Sequence, residues 1–352
     1  MHPARKIATD RDDAVHLRES ELRQREVVLQ EHGNRRLDDA ARAGWLYYVG
    51  GDSQEQIAHK LSVSRQTAQR LVALAVSEGL IKVRLDHPIG RCMELASGLR
   101  DLYALETIEV LPGDPSSIAG IAQAAAAEIE RWLRSALPVV MAIGTGRTLK
   151  AAIEQMSSVD APQHSVVSLT GNIAPDGSAS YYNVIFNMAD RVRARMFPMP
   201  LPVIASSADE RRQLHAQPMI RDTLELAGRA NVAFVGIGDL GPDAPLYRDG
   251  FLSVAERDAL RKAGAVGEIV GWAFDTDGIP LEGLTNARVA SAPIPSRQSS
   301  SVIALVGGNA KLPALLAALK GGLVNGLITD ELTAAALLVA RTKGPKHPAG
   351  SS

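Results

Sequence analysis

The sequence has a single cysteine, Cys92, in 352 residues. That excludes an intrachain disulfide framework and fits a reducing compartment. Aromatic residues make up only 4% of the chain, and Ala, Leu, Val and Gly dominate, a composition that suits an α/β core better than an all-β one. No apolar run approaches the ~18 residues that span a bilayer. The first residues also lack the basic, apolar, small-residue order of a signal peptide, so the expectation is a cytoplasmic protein. Neither sign of charge is in excess: the formal net charge is -1. Whole-chain charge therefore points to no polyanion, and any nucleic-acid surface must be local. The eight histidines are scattered without ligand spacing, so neither a structural metal nor a cofactor is expected. No long-period internal repeat is present.

With 46% hydrophobic residues, a chain of this length suits two domains, one small and one larger. Residues 1–36 are polar and charged and read as a flexible or helical arm. Residues 37–86 form a unit of short helices ending in LIKVRL, Leu80–Leu85, whose period-2 pattern suits a β-ribbon. Residues 87–106 have helical spacing and read as a linker helix. From Thr107 the rhythm changes. TIEVL, PVVMAIG, VVSL, PVIA, NVAFVGIG, EIVGWAF and SVIALVGG alternate with helical stretches, among them Ile118 to Ala136, Asn183 to Arg195 and a last helix from Lys311. Short Val/Ile-rich strands separated by helices predict a largely parallel, Rossmann-like sheet covered on both faces over 107–342. The tail, 343–352, is expected to be disordered.

Within the small unit, SQEQIAHKLSVSRQTAQRLV (Ser53–Val72) breaks an apolar stripe at Ser62-Val63-Ser64 and restarts it. Asp52 or Ser53 can cap a first helix that buries Ile57, Ala58 and Leu61. Ser64 can cap a second that buries Ala68, Leu71 and Val72. Small Ala58 and Ala68 permit a steep crossing over a tight turn. Ser64, Arg65, Gln66, Thr67, Gln69 and Arg70 remain outward, donor-rich side chains of the kind that pair with guanine and adenine in a major groove. A plain surface hairpin with solvated Arg and Gln has part of this pattern, and Ser62 stands where such a turn usually has Gly. The spacing, caps and polar face together favour a winged helix-turn-helix with operator DNA as partner, working as a dimer or higher oligomer.

In the larger domain, Gly144-Thr145-Gly146-Arg147-Thr148 follows a strand and opens a helix, where backbone N–H groups can cradle an anion. It lacks the GK[ST] ending of a Walker loop and the third Gly of a dinucleotide fingerprint. Alone, it is equally a tight turn. Two further loops add weight: FVGIGDLG, with Gly236, Gly238 and Asp239, and ALVGGNAKL, with Lys311. Ligands of open α/β sheets collect beyond the carboxyl ends of strands, so the three loops describe a pocket for a small phosphorylated or hydroxylated molecule. Asn172, Glu268 and Asp275 flank strand-like runs and can bind hydroxyls. Asp275-Thr276-Asp277-Gly278 also has the composition of a plain turn.

With these residues assembled, the chain resembles the SorC family of bacterial transcriptional regulators, grouped with DeoR-type sugar-binding regulators. The similarity runs in order through the helix-turn-helix, GTGRTL, SLTGN, GIGDLG, GEIVGWAFDTDG and GGNAKLPALLAALKGGLVNGLITDE, over about residues 37 to 340. The resemblance implies a C-terminal domain related to sugar-phosphate isomerases and glucosamine-6-phosphate deaminases that binds a sugar, polyol or sugar-phosphate effector, often in a tetramer. It implies Gly144, Thr145, Gly146, Arg147, Thr148 and Lys311 on the phosphate side, with the loop 236–241 and Glu268 toward the sugar. The related deaminases carry a His soon after the GIG loop. GIGDLGPDAP has none, and Asp239 alone does not rebuild an acid/base pair, so the expectation is a binding scaffold and no enzyme.

The alternative is a sugar-phosphate isomerase or deaminase with an added N-terminal module. A nucleotide-dependent dehydrogenase is a third reading, weakened by the missing third Gly. Arg191, Arg193 and Arg195 read as a solvated helix face, Cys92 as packing, and Trp45 as core of the first helix.

Overall fold

The computed structural model describes residues 35–81, 88–113, 117–174, 177, 178 and 182–342. The expected arm (apart from residues 35 and 36), most of the expected wing and the expected disordered tail lie outside these residues. The chain divides into two compact units, Met1–Asp86 and His87–Ser352.

In the small unit, α1 (35–48), α2 (Gln54–Leu61) and α3 (Arg65–Ser77) bury a core built mainly of alanines: Ala40, Ala43, Ala58, Ala68 and Ala75, with Ile57, Leu71 and Val72. Small side chains at these positions let short helices approach closely. Ser53 caps α2 in a reciprocal box with Gln56, and the Ser64 hydroxyl accepts from Thr67 N at the start of α3. Between them Ser62 is left-handed, with φ 54 and ψ 43. Ser62 N donates to His59 O at 3.3 Å and Val63 N to Ala58 O at 2.9 Å, the paired bonds that close a helix in the Schellman manner. Trp45 is not in this core. It is 57% exposed, with Tyr47, Tyr48 and Val49 also open to solvent, because the inward positions of α1 are taken by Ala40 and Ala43.

The larger unit begins with α4 (Pro88–Tyr103), the helix expected as a linker, which packs against β1 (Thr107–Leu111) and the last helix of the chain. Then follow α5 (Ala119–Leu133), β2 (Val140–Ile143), α6 (Arg147–Gln155), β3 (Val159–Ser168), α7 (Val184–Ala189), β4 (Val192–Phe197), α8 (Ala208–Ala216), α9 (Pro218–Gly228) and β5 (Val232–Gly236). After a short β6 (Gly238–Asp239) come α10 (Pro245–Arg248), α11 (Val254–Lys262), β7 (Gly267–Ile269), β8 (Trp272–Phe274), β9 (Ser301–Leu305), α12 (Leu312–Lys320), β10 (Gly326–Asp330) and α13 (Glu331–Thr342).

Seven strands form one sheet in the order β1-β10-β9-β5-β2-β3-β4, and every pairing in it is parallel. Its strands alternate cleanly between two cores. Met141, Ile143, Val232, Phe234, Ile303 and Leu305 face a layer with Ile121, Ile129, Leu149 and Ile153. Ala142, Ala233, Val235, Val302 and Ala304 face a layer with Leu99, Ile220, Leu315 and Leu337. This is the period-2 pattern of a sheet with helices on both faces. The order reverses between β2 and β5. From β2 the chain runs to β3 and β4 on one side; from β5 it runs to β9 and β10 on the other.

Three expectations and one omission are corrected. PVIA, expected as a strand, holds only isolated bridges, Pro202 with Ile173 and Ile204 with Val289. Residues 192–195, read as the end of a helix, belong to strand β4, so Arg193 and Arg195 lie on a strand. Val192 is buried and Arg193 exposed, an alternation that fits a strand as well as it fitted the helix. EIVGWAF is two short antiparallel strands, β7 and β8, forming a small separate sheet with β6. The turn between them, Val270-Gly271, has positive φ at both residues, 47 and 90. GLITD, overlooked as a strand, is β10, buried along its whole length between β1 and β9.

Candidate functional site

The cavity beyond the carboxyl ends of β2, β5 and β9 has a volume of about 400 Å³. It lies at the reversal of strand order, where open α/β sheets leave a crevice. Three loops wall it. After β2, Gly144 N donates to Phe234 O at 2.9 Å, which ties that loop to β5. Gly146, at φ 126, then turns the chain into α6, a conformation only glycine adopts without cost. Arg147 and Thr148 sit in the first turn of α6, whose leading N–H groups have no partners within the helix.

After β5, Gly236 and Gly238 pass the cavity, and β6 pairs Gly238 with Glu268 of β7. A Cβ at Gly238 would overlap the Glu268 carboxylate, so glycine here leaves room for that acid. Glu268 Oε2 accepts from Gly271 N at 2.8 Å. After β9, Gly307 and Gly308 lead into a 3-10 turn, Asn309–Lys311, that brings Lys311 into the lining.

Burial pushes the Glu268 carboxyl above the usual carboxylate range; the Gly271 N–H and Lys311 oppose this, and Asp239 adds to it. Burial likewise pushes Lys311 down, opposed by Glu268 and reinforced by Arg147. One acid and one base therefore share a low-dielectric pocket, each holding the other closer to its charged form. In the same lining the Tyr182 hydroxyl is raised by burial and by the Asp249 carboxylate beside it. Thr170 lines the cavity, and its Oγ1 is buried without a hydrogen-bond partner. Leu246, Phe251, Ile237 and Val270 supply the apolar lining. A few aimed polar groups on an apolar wall suit a small hydroxylated molecule.

Of the sequence candidates, Thr145, Gly146, Arg147, Thr148, Gly236, Gly238, Glu268 and Lys311 are brought together in this lining. Four others stand outside it. Gly144 is the packing residue beneath, where a Cβ would come within 3.3 Å of Phe234 O and of Val270 Cγ1. Asn172 donates its N–H to Met199 O, with Oδ1 buried and unpartnered. Asp239 accepts from Gly241 N at 2.8 Å and reaches the site only through its charge. Asp275 Oδ1 accepts from Asp277 N and Ile279 N, both at 2.9 Å, so its carboxylate is spent inside its own turn. Sequence reasoning missed Thr170, Tyr182, Asp249 and Phe251. Scarcity was the available signal, because aromatics are few enough that each deserved a position. A second, larger and more open cleft of about 730 Å³, lined by Trp272, Ile294, Arg297, Lys320 and Leu323 among others, holds none of the candidates.

In the small unit, Ser64 at the N-cap of α3 and Arg65, Gln66, Thr67, Gln69 and Arg70 on it are all exposed. Ser64 Oγ and Thr67 Oγ1 lie 2.8 Å apart, so part of their hydrogen-bonding capacity is used on each other. Arg65 meets Glu55 at 3.3 Å with both side chains mostly exposed, a pair worth little in water.

The family model described as "Putative sugar-binding domain" matches residues 87–339. The Erythritol catabolism regulatory protein EryD of Brucella abortus is 34% identical over 302 residues, covering 85% of this chain and 96% of the relative. The transcriptional regulator LsrR of Escherichia coli O157:H7 is 31% identical over 322 residues, covering 88% and 98%. The chain belongs to the SorC/DeoR family of sugar-binding transcriptional regulators. It is a regulator with a sugar-binding domain and not an enzyme, as these relatives are. Its fold is that of the full-length sorbitol operon regulator SorC from Klebsiella pneumoniae, with TM-score 0.65 and 22% identity over 86% of this chain and 99% of that one. Among the described residues, no helix of this regulator is long and apolar enough to cross a membrane.

Proposed function

We propose that α2 and α3 are the helix-turn-helix of a winged DNA-binding domain, residues 37–86, and that Ser64, Arg65, Gln66, Thr67, Gln69 and Arg70 contact operator DNA. The larger domain, 107–342, holds a sugar, polyol or sugar-phosphate effector in the cavity at the strand-order reversal, and the effector changes operator affinity in a dimer or tetramer. The observation that carries this reading is convergence. Three loops far apart in sequence place Thr145, Arg147, Thr148, Glu268 and Lys311 in one cavity of about 400 Å³. Arg147 and Lys311 suit an anion, and Glu268, Thr170 and the Tyr182–Asp249 pair suit hydroxyls.

The scaffold is that of a sugar-phosphate isomerase kept for binding. No His stands soon after the GIGDLG loop, which continues as GIGDLGPDAP, and Asp239 is engaged by Gly241 N, so no free acid/base pair stands there. The name of the erythritol regulator makes erythritol and its monophosphate the first compounds to try. Thermal melting in their presence, beside sorbitol and ribose 5-phosphate, tests the reading, since a ligand of the folded state raises the melting temperature. Operator affinity is then measured with and without the compound that binds. Lys311→Ala should abolish the response and leave effector-free operator binding intact. An unchanged titration in that variant would reject the site.

A further inference from the structure

The loop carrying Lys311 is fastened from behind. Gly308 N donates to Asp330 Oδ2 at 3.2 Å and to Thr333 Oγ1 at 3.0 Å. Thr333 in turn donates its hydroxyl to Asp330 Oδ2 at 2.7 Å and its N–H to Asp330 Oδ1 at 2.8 Å. Asp330 is 4% exposed and Thr333 1%. A side chain at Gly307 would come within 2.7 Å of Asp330 Oδ2 and 2.6 Å of Ile121 Cδ1, so the loop is pressed directly onto this bracket. Neither residue lines the cavity; their bonds serve the backbone three residues before Lys311.

The bracket sits at the junction of β10 and α13. One residue on, Glu331 meets Arg91 at 3.1 Å. Arg91 lies in the first turn of α4, and α4 and α13 pack together along their length, with Leu338 3.4 Å from the position a Cβ would take at Gly98. The small unit ends at Asp86, five residues before Arg91. A chain of direct bonds thus runs from the Lys311 loop through Gly308, Asp330, Thr333 and Glu331 to the turn of α4 that the DNA-binding unit joins.

We infer that Asp330 and Thr333 are positioning residues that couple occupancy of the effector cavity to the first turn of α4. The inference rests on the regulator reading above and adds the route by which the effector acts. An effector drawing on Lys311 shifts the Gly307–Gly308 loop. That shift moves the bracket, the bracket moves the start of α13, and Arg91 follows. Coupling of this kind requires only that the effector prefer one arrangement of these bonds over another.

The test uses the full chain. Thr333→Val keeps the shape of the side chain but removes both hydroxyl bonds; Thr333→Ser keeps them. Amide hydrogen exchange of the effector-free protein should rise in Thr333→Val at the Gly308 loop and at the first turn of α4. It should remain at wild-type level in α6, on the other face of the sheet, and Thr333→Ser should match wild type throughout. Operator affinity is then measured, with and without erythritol monophosphate, on a duplex selected by the wild-type protein from random DNA. If the wild-type ratio lies in the usual range of about 5- to 150-fold, Thr333→Val and Arg91→Gln should bring it to within about twofold of one. Arg91→Gln should do so without changing affinity for the monophosphate. Unchanged exchange at α4 in Thr333→Val, or an intact ratio in both variants, overturns the inference. If exchange responds as described but wild-type operator binding ignores every effector tried, the bracket stands and the regulator reading fails.

Discussion

Lys311 is a lysine held below its ordinary range in a pocket it shares with Glu268, and on the proposed reading the pair should set how effector binding responds to pH. Burial lowers Lys311, with Arg147 adding to the effect, and burial raises Glu268. The signs for stability oppose each other. A lowered lysine contributes stability above its unfolded value of 10.5 and loses it as pH falls through the folded value. A raised carboxyl contributes stability below 4.5 and loses it as pH rises through the folded value. Between those values each ion is a cost that the other offsets. An anionic effector favours the ammonium form, so affinity for a phosphorylated polyol should fall as pH rises from neutrality toward 10.5, while affinity for the unphosphorylated polyol should fall less. Calorimetric titration of both compounds across that range checks it; parallel pH profiles would remove Lys311 from the anion end. Gly238 supports a second prediction. Gly238→Ala should drive the Glu268 carboxylate off its place and forfeit its bond from Gly271 N, costing about 1 kcal/mol of stability. Effector affinity should drop by about tenfold, one charge-assisted bond's worth, as read by thermal shift against effector concentration. Glycines 236 and 238, the GTGRT loop, Glu268 and Lys311 were legible because each directly follows or borders a strand-like run, where crevice residues belong. Thr170, Tyr182, Asp249 and Phe251 were not, because they reach the cavity from loops and turns whose direction no local pattern specifies, Asp249 just past the end of the short α10.

At the scale of elements, the corner between α2 and α3 is held by bonds that ask for glycine, yet residue 62 is serine. Its φ of 54 places Cβ against the following carbonyl, and the two closing bonds to His59 O and Ala58 O keep it there. Ser62→Gly should therefore stabilise the small unit by about 1 kcal/mol, the left-handed strain relieved less the entropy glycine adds to the unfolded chain. Slower amide exchange in α2 and α3, with operator affinity unchanged, is the expected result; faster exchange would mean that the serine hydroxyl contributes something the backbone bonds do not reveal. The two helices were legible to within a residue because caps, apolar spacing and small contacts agreed. β4 was misread because RVRARMF satisfies a period of two while its neighbours favour a helix, and pairing with β3 decided the matter. β10 was overlooked because a five-residue strand buried on all sides has no polar face to give it a period. EIVGWAF hid its turn because Val270 stands at a position where hairpins normally carry Asn, Asp or Gly.

Across the whole molecule, a formal net charge of -1 means that the protein as a body does not attract DNA. Attraction must come from a few cations placed where they face phosphate, and the structure distinguishes cations that are available from those that are not. Lys60 is held by both Asp52 oxygens, at 2.9 and 2.7 Å. Arg70, one helical turn beyond Gln66 on α3, is exposed and has no ion-pair partner among the described residues. Each phosphate neutralised releases counterions, so log affinity falls with log salt by about 0.9 per contact. Arg70→Ala should therefore weaken operator binding and reduce that slope by about 0.9. Lys60→Ala should leave the slope where it was, since its charge is already met within the protein. The measurement is a salt titration of operator affinity for the two variants and the wild type, with effector absent so that the cavity and its coupling do not enter. A slope lost in Lys60→Ala and kept in Arg70→Ala would mean that the face of α3 carrying Gln66 and Arg70 is not the one that meets the duplex.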